Sequence, residues 1–99
     1  MLKYIYLIQS NINGEYSYKI GKTSRNINKR LLEIKTSNPG KLTVLYLYQT
    51  NNADILEKSL HNYYNYKKVT NEWFKDIELT NFINTINLLD KSLTILNTN

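Results

Sequence analysis

The chain has 99 residues, a net charge of +5 and no cysteine. This length suits one domain with a single core, and the lack of cysteine excludes disulfides and thiolate metal sites. No stretch is long and apolar enough to span a bilayer, so we expect a soluble intracellular protein, in the cytoplasm or, if viral, inside the host cell. We expect one domain over residues 1–99, with a core over about 2–78 and a C-terminal helix over about 79–95.

The first predicted element is a β-hairpin. Two β-patterned runs, residues 4–9 and 16–20, flank the dipeptide Asn13-Gly14. Asn-Gly pairs adopt the positive φ angles that a two-residue hairpin turn needs. Gly21 is expected to end the second strand, and a short loop follows it.

Alternation along the first strand places its tyrosines on one face. Leu2, Tyr4 and Tyr6 share that face, whereas Ile5 and Leu7 lie on the other. This pattern favours a strand that packs against helices on one face while its tyrosine hydroxyls reach a wet cleft on the other. The alternative is that these tyrosines serve only as strand formers.

A segment that begins at the end of the hairpin is strongly basic. It has one acidic residue, Glu33, against six basic residues: Lys19, Lys22, Arg25, Lys29, Arg30 and Lys35. Such clustering is typical of proteins that bind the phosphate backbone of nucleic acids. A solvated basic helix face is the alternative.

The first predicted helix starts at Asn26, whose side chain can cap the first turn. Ile27, Leu31 and Ile34 recur at the spacing of an amphipathic helix. Arg30 projects beside this stripe, near Ile34. A guanidinium at the margin of a buried face needs a partner, and a bound phosphate would be one.

Residues 41–49 follow a Pro-Gly break and are apolar on both faces. We therefore expect a central strand that is covered on both sides and pairs with the hairpin. The next helix is capped by Asn52 or Asp54. Its predicted buried side consists of Ile55, Leu56, Leu60 and Tyr63.

One flank of that helix carries Glu57, His61 and Tyr64 at positions i, i+4 and i+7. A carboxylate and an imidazole one turn apart can bind a divalent ion or place a ligand beside a general base. A local hydrogen bond between the two side chains is the alternative. After a polar connection, Trp73 and Phe74 are expected to anchor the last segment to the core.

Five motifs occur in a characteristic order: YIYLI in the first strand, KIGKT closing the second, RNINKRLLEI in the first helix, LEKSLH in the second, and EWF after it. This combination, over residues 2–74, resembles the GIY-YIG nuclease superfamily. The branch it resembles contains a DNA-binding domain from a phage open reading frame and relatives of a meiotically up-regulated gene product. The resemblance implies an α+β fold in β-β-α-β-α-α order, a small three-stranded antiparallel sheet flanked by helices.

The resemblance also implies roles for individual residues. Tyr6 would activate water or accept a proton, Arg30 would hold the phosphate, and Glu57 would be the sole protein ligand of one Mg²⁺ or Mn²⁺ ion. Lys19 stands where the family has the tyrosine of its second motif, and it could supply a cation or act as a base. His61 could transfer a proton or contact phosphate.

The sequence thus favours a metal-dependent endonuclease acting on DNA, with Lys22, Arg25 and Lys29 along the nucleic-acid backbone together with Lys19. A DNA-binding module of the same fold without turnover is an alternative, because Lys19 and Ile34 depart from the pattern of active relatives. A small interaction protein whose C-terminal helix docks a partner is another. No membrane and no small-molecule cofactor are expected, and the oligomeric state is open.

Overall fold

The computed structural model describes residues 3–97, so the expected contribution of Leu2 lies outside the described residues. All strand pairings are antiparallel, in a single sheet of order β3-β1-β2-β5-β4. The α+β class is confirmed, but the sheet has five strands instead of three. The elements are β1 Lys3–Ile12, β2 Glu15–Thr23, α1 Ile27–Lys35, β3 Lys41–Thr50, α2 Ala53–Tyr63, a 3-10 helix at Asn65–Lys67, β4 Lys68–Thr70, β5 Trp73–Phe74 and α3 Leu79–Asn97.

The predicted hairpin is confirmed at its turn. Asn13 and Gly14 have φ angles of 53° and 85°. The side chain of Asn11 accepts a hydrogen bond from the Gly14 N–H at 2.9 Å. The second strand was expected to end at Gly21. It continues to Thr23 instead, because β1 pairs with it along its whole length.

Strand β1 lies between β3 and β2 and is buried on both faces. Ile5 and Leu7 belong to a core beneath α2 and α3, whereas Tyr6 and Ile8 pack with Ile34 of α1 on the opposite face. The sheet is therefore a middle layer between two helical layers, one formed by α1 and the other by α2 and α3.

The prediction that residues 41–49 form a central strand is wrong, because β3 is an edge strand that pairs only with β1. A β-bulge explains why both of its faces are apolar. Leu7 pairs with Tyr46 and Ile8 with Val44, which leaves Leu45 as the extra residue. The bulge reverses the alternation, so Leu42 and Val44 before it pack towards α1, whereas Tyr46 and Tyr48 after it pack towards the other layer.

The buried side of α2 differs from the prediction at two positions. Ile55 and Tyr63 are 53% and 49% exposed, whereas Tyr64, expected on the flank of Glu57, is buried. Tyr64 follows the last residue of the helix, so the chain is free to turn its ring into the core. Its hydroxyl donates to Asn81 at 2.6 Å. The other buried residues of this helix are Ala53, Leu56 and Leu60.

Asp90 connects α3 to the sheet and to the start of α2. Its carboxylate accepts hydrogen bonds from Tyr48 at 2.7 Å, Thr50 at 3.1 Å and the Asn52 amide at 3.0 Å. Asn52 occupies the N-cap position of α2, but its side-chain amide donates to Asp90 of α3 instead of accepting from the first turn of the helix. Burial and the hydrogen bond to Asp90 raise the pKa of Tyr48 to about 12. Within residues 3–97, no helix has the length and apolar character needed to cross a membrane.

The short strands β4 and β5 were not expected, and they extend the sheet beyond β2. Phe74 is fully buried beneath α2 and α3, and Trp73 packs on the α1 face. This arrangement confirms that the two rings anchor the last segment to the core. Residues 68–70 were expected to belong to a polar connection, but backbone pairing with β5 makes them a strand.

Gly21 and Tyr6 face each other across β1 and β2, and the Tyr6 ring lies directly over the Gly21 backbone. A Cβ atom at Gly21 would overlap both the hydroxyl and the ring of Tyr6. Glycine is therefore required here by close approach, not by a special backbone angle.

We expect Gly21→Ala to lower the free energy of unfolding by about 1–3 kcal/mol, because the added methyl group overpacks a rigid buried ring. Urea denaturation measures this cost in the wild type and in a Tyr6→Leu background, where the overlapping ring is absent. The cost should shrink markedly in that background. An equal cost in both backgrounds would rule out overlap with Tyr6 as its cause.

Candidate active site

The candidate site lies at the C-terminal end of β2. Side chains from both faces of the sheet come together there, beyond the point where β5 pairs with β2. β5 pairs with β2 only at Tyr18 and Lys19. The Ile20 N–H then donates to the Glu72 carbonyl at 3.2 Å. Beyond this point, within the part of the chain that the structure describes, residues 21–23 of β2 pair only with β1.

On the α1 face, the buried Tyr6 and the partly buried Arg30 form a hydrogen-bonded pair. The predicted N-cap is confirmed, because the Asn26 side chain accepts the Asn28 N–H at 2.8 Å, and the helix then carries Arg30 over β1. Arg30 Nε donates to the Tyr6 hydroxyl at 3.2 Å. Tyr6 is fully buried because Ile34 and its neighbours in α1 cover it, so the expectation of a wet cleft around this tyrosine is wrong.

Burial raises the pKa of the Tyr6 hydroxyl, and the hydrogen bond and positive charge of Arg30 only partly oppose that effect. The hydroxyl therefore keeps its proton at neutral pH. A neutral hydroxyl can accept from Arg30 and still donate a hydrogen bond of its own.

Beside this pair, a pocket of about 230 Å³ brings several of the predicted basic residues together. Glu33 forms ion pairs with two of them, because its Oε1 lies 2.6 Å from Arg25 Nη2 and 3.5 Å from Arg30 Nη1. Lys29 does not line the pocket and is exposed on α1. The pocket is lined by Lys3, Lys22, Thr23, Ser24, Arg25 and Arg30.

Asp54 holds the other two cations of the pocket. Its Oδ1 lies 3.0 Å from the Lys22 ammonium and 3.1 Å from that of Lys3. The hydrogen bonds to Lys22 and Lys3 lower the pKa of Asp54, and the hydrogen bond from Arg25 lowers that of Glu33. Both acids are therefore ionised at neutral pH and offset part of the positive charge.

On the opposite face, Glu57, His61 and Glu72 form what we call the carboxylate–imidazole cluster. One ligand atom from each residue lies within 4.8 Å of the other two. Glu57 lies on the side of the site that contains Lys22, with 3.9 Å between its Oε1 and the Lys22 ammonium. Burial raises the pKa of Glu57, and the negative charge of Glu72 adds to this effect.

His61 reaches across to the sheet, with Nε2 at 2.7 Å from the Ile20 carbonyl oxygen. A purely local pair of Glu57 and His61 does not predict this contact. Because a carbonyl oxygen only accepts, Nε2 carries a hydrogen, and Nδ1 is the ring nitrogen that remains for a metal or a proton.

Lys19 lies in the interior instead of along an exposed path. Its residue exposure is 8%, its ammonium is 3.1 Å from Glu72 Oε2, and it lies 5.4 Å from the centre of the Trp73 ring. Lys19 thus contacts the carboxylate–imidazole cluster through Glu72.

The structure brings the two halves of the site together. The charges of Glu72 and Glu57 both act on the Tyr6 hydroxyl, and Lys22 contacts Glu57 while lining the same pocket as Arg30. The sequence alone gave no role to Glu72, although the EWF motif contains it. An acidic residue immediately before two aromatic residues was the available signal.

The donors of the carboxylate–imidazole cluster fit a divalent ion. Carboxylate oxygens suit Mg²⁺ and Mn²⁺, and an imidazole nitrogen adds affinity for transition metals. Glu57 is the member closest to the cationic pocket, through Lys22. The cluster could therefore hold a metal next to a phosphate bound in that pocket.

Comparison with protein families matches residues 3–90 to the T5orf172 domain. Neither the curated proteins nor the solved structures include a significant match. The matched range contains the whole sheet, α1, α2 and all the site residues from Tyr6 to Glu72. Because the match covers most of the chain, this protein belongs to the T5orf172 domain family.

Proposed function

We propose that the domain is a nuclease of the GIY-YIG type, which binds DNA and hydrolyses its phosphodiester bonds with one divalent ion, Mg²⁺ or Mn²⁺. The observation that carries this proposal is the convergence of the Tyr6–Arg30 pair and Glu57 on one end of β2. Membership of the T5orf172 family supports the phage branch that the sequence motifs resemble.

Arg30 is the proposed phosphate ligand. Its Nε donates to the Tyr6 hydroxyl. Part of the guanidinium remains open to solvent, because 27% of the side chain is exposed. A guanidinium can bind two phosphate oxygens at once and offset the charge that develops in the transition state. Substrate phosphate would replace the long contact to Glu33.

Tyr6 is proposed to position Arg30 through its neutral hydroxyl. Removing a proton from water would need a phenolate, which burial disfavours. The hydrogen bond to Arg30 restricts the orientation of the guanidinium, so a phosphate meets a preorganised ligand.

Glu57 is the proposed metal ligand, and a divalent ion bound there would offset charge on the scissile phosphate and on the leaving oxygen. His61 and Glu72 stand beside it as groups that can hold or move a proton. Lys19 keeps Glu72 in place through their ion pair, which gives it a positioning role.

Lys22 and Arg25 are proposed to contact the DNA backbone at the pocket, and Lys29 to contact it further along α1. The acids that pair with Lys22 and Arg25 would exchange these cations with phosphate. Lys29 makes no ion pair with any residue between 3 and 97, so its full charge is available.

A DNA-binding module without turnover is the second candidate. It is favoured by the complete burial of Tyr6 and by the place of Lys19, which bonds to Glu72 instead of facing the pocket. An interaction protein that docks through the C-terminal helix α3 is less well supported, because Phe82 and Ile86 of this helix are buried and Leu93 packs on the core.

We expect Glu57→Gln and Arg30→Ala each to abolish nicking of supercoiled plasmid in Mg²⁺ or Mn²⁺. The first removes the proposed ligand charge, and the second removes the proposed phosphate ligand. Glu15→Gln and Lys91→Ala remove the same charges from exposed positions elsewhere and should nick like the wild type. EDTA should stop all nicking.

Nicking retained by either site variant, in protein shown to be folded by circular dichroism, would count strongly against this assignment. Absence of nicking by the wild type, together with salt-sensitive binding to the same plasmid, would favour the binding module.

We expect Lys29→Ala to reduce the slope of log affinity for duplex DNA against log salt by about 0.9, the value for one lost phosphate contact. Lys22→Ala should reduce it less, because Asp54 already neutralises part of that charge. Fluorescence anisotropy at several salt concentrations measures the slopes, with Lys91→Ala as the control. Equal slopes for all four proteins would show that these lysines do not contact DNA phosphates.

In metal-free protein at about pH 7, we expect Glu57→Gln to raise the free energy of unfolding. The raised pKa of Glu57 means that folding opposes its ionisation. The ionised carboxylate therefore lowers the free energy of unfolding, and this loss of stability is complete above the folded-state pKa. It disappears as the pH falls below the ordinary value of 4.5, where both states hold the proton.

Urea denaturation in EDTA at about pH 7 and about pH 4 tests this expectation, with Glu78→Gln correcting for the loss of a surface carboxylate. A variant that is less stable than the wild type at about pH 7 would mean that Glu57 is a structural residue, not one retained for function.

A further inference from the structure

We propose that Glu57, His61 and Glu72 together bind one divalent transition-metal ion, such as Mn²⁺ or Zn²⁺, in preference to Mg²⁺. The inference builds on the proposed function, in which Glu57 is the only protein ligand. It adds two donors and a class of ion.

The distances suit a shared ion. Metal–ligand bonds to nitrogen and oxygen are about 2.0–2.2 Å long, so two donors on opposite sides of one ion are about 4.0–4.4 Å apart. The three donor atoms of the cluster lie within 4.8 Å of one another. Small side-chain rotations would therefore close the site.

The backbone of Ile20 in β2, outside the cluster, forms hydrogen bonds with two of its members. The Ile20 N–H donates to the Glu72 carbonyl at 3.2 Å, and the Ile20 carbonyl accepts from His61 Nε2 at 2.7 Å. Metal-binding histidines typically donate their second ring N–H to such a carbonyl, which fixes the tautomer and the ring orientation. The edge-to-face contact with Phe74, at 5.0 Å between centroids, further restricts the His61 ring.

The charges of the cluster also favour a cation. Glu57 and Glu72 repel each other, and the cation that forms an ion pair with each among residues 3–97 is a peripheral lysine: Lys22 at 3.9 Å from Glu57 and Lys19 at 3.1 Å from Glu72. An ion between the carboxylates would remove the repulsion without displacing either lysine, because a carboxylate can accept several partners at once.

The imidazole determines the class of ion. Mg²⁺ prefers an octahedron of oxygen ligands and keeps most of its waters, whereas imidazole nitrogen binds transition ions much better. A site with one nitrogen and two carboxylates should therefore discriminate against Mg²⁺. If Glu57 acted alone, no such preference would be expected.

Binding of Mn²⁺ in the absence of DNA, followed by the electron paramagnetic resonance signal of the free ion, tests the proposal. Glu57→Gln, His61→Gln and Glu72→Gln should each weaken Mn²⁺ binding at least about tenfold, whereas Glu78→Gln should leave it within about twofold. Mg²⁺ should displace Mn²⁺ only at a concentration at least about tenfold higher than Zn²⁺ needs. Wild-type affinity in both His61→Gln and Glu72→Gln would overturn the proposal.

His61 is the only histidine of the chain, so its imidazole signals can be followed without ambiguity by nuclear magnetic resonance. Zn²⁺ should shift the Nδ1 resonance, while Nε2 keeps its hydrogen. An Nδ1 resonance that is unchanged at saturating Zn²⁺ would exclude His61 as a ligand.

Glu72→Gln leaves the buried Lys19 ammonium without its carboxylate, so Glu72→Gln combined with Lys19→Met provides a second variant free of that penalty. Nicking of plasmid separates this inference from the proposed function. Binding of Mn²⁺ that depends on all three side chains, without any nicking, would support the metal site and exclude the nuclease. Nicking in Mg²⁺ that survives His61→Gln and Glu72→Gln, together with wild-type Mn²⁺ affinity in both variants, would support the nuclease and rule out the three-ligand metal site.

Discussion

The contact between the Tyr6 ring and the Gly21 backbone sets the geometry of the whole site. Because Gly21 has no side chain, the ring lies against β2 and its hydroxyl meets Arg30. β1 and β2 stay paired beyond Gly21, and Lys22 there lies beside Glu57 of α2 and lines the cationic pocket. One missing Cβ atom therefore connects the packing of β1 against β2 to the placement of Arg30.

The cations of the site are held in place by carboxylates before any substrate binds. Glu33 pairs with Arg25, Asp54 with Lys22 and Glu72 with Lys19. These pairs reduce repulsion among the closely spaced cations and restrict their side chains. In the proposed function, binding of a phosphate at the pocket would be an exchange of one anion for another, and its affinity would reflect the difference between the two. The exposed pairs at Glu33 and Asp54 are the easiest to exchange, since solvent screens both.

The opposite face of the sheet contains a charge arrangement that costs stability. Glu57 is partly buried near Glu72, and Lys22 at 3.9 Å only partly offsets the repulsion. A fold selected for stability alone would not keep two carboxylates together there, whereas a cation would turn the repulsion into attraction. This is the physical reason for connecting the cluster to function, and it agrees with a site that is completed only when an ion is bound.

The sequence by itself determined the elements whose causes are local. The turn at Asn13-Gly14 follows from their φ preferences, the cap at Asn26 from its side-chain acceptor, and the common flank of Glu57 and His61 from helical periodicity. Tertiary structure decided what depends on contacts between distant segments. The edge position of β3 and its bulge, the burial of Lys19 and the arrival of Glu72 beside Glu57 all depend on pairing across the sheet. Local propensity carries no information about that pairing, because its free energy arises only when segments far apart in the chain come together.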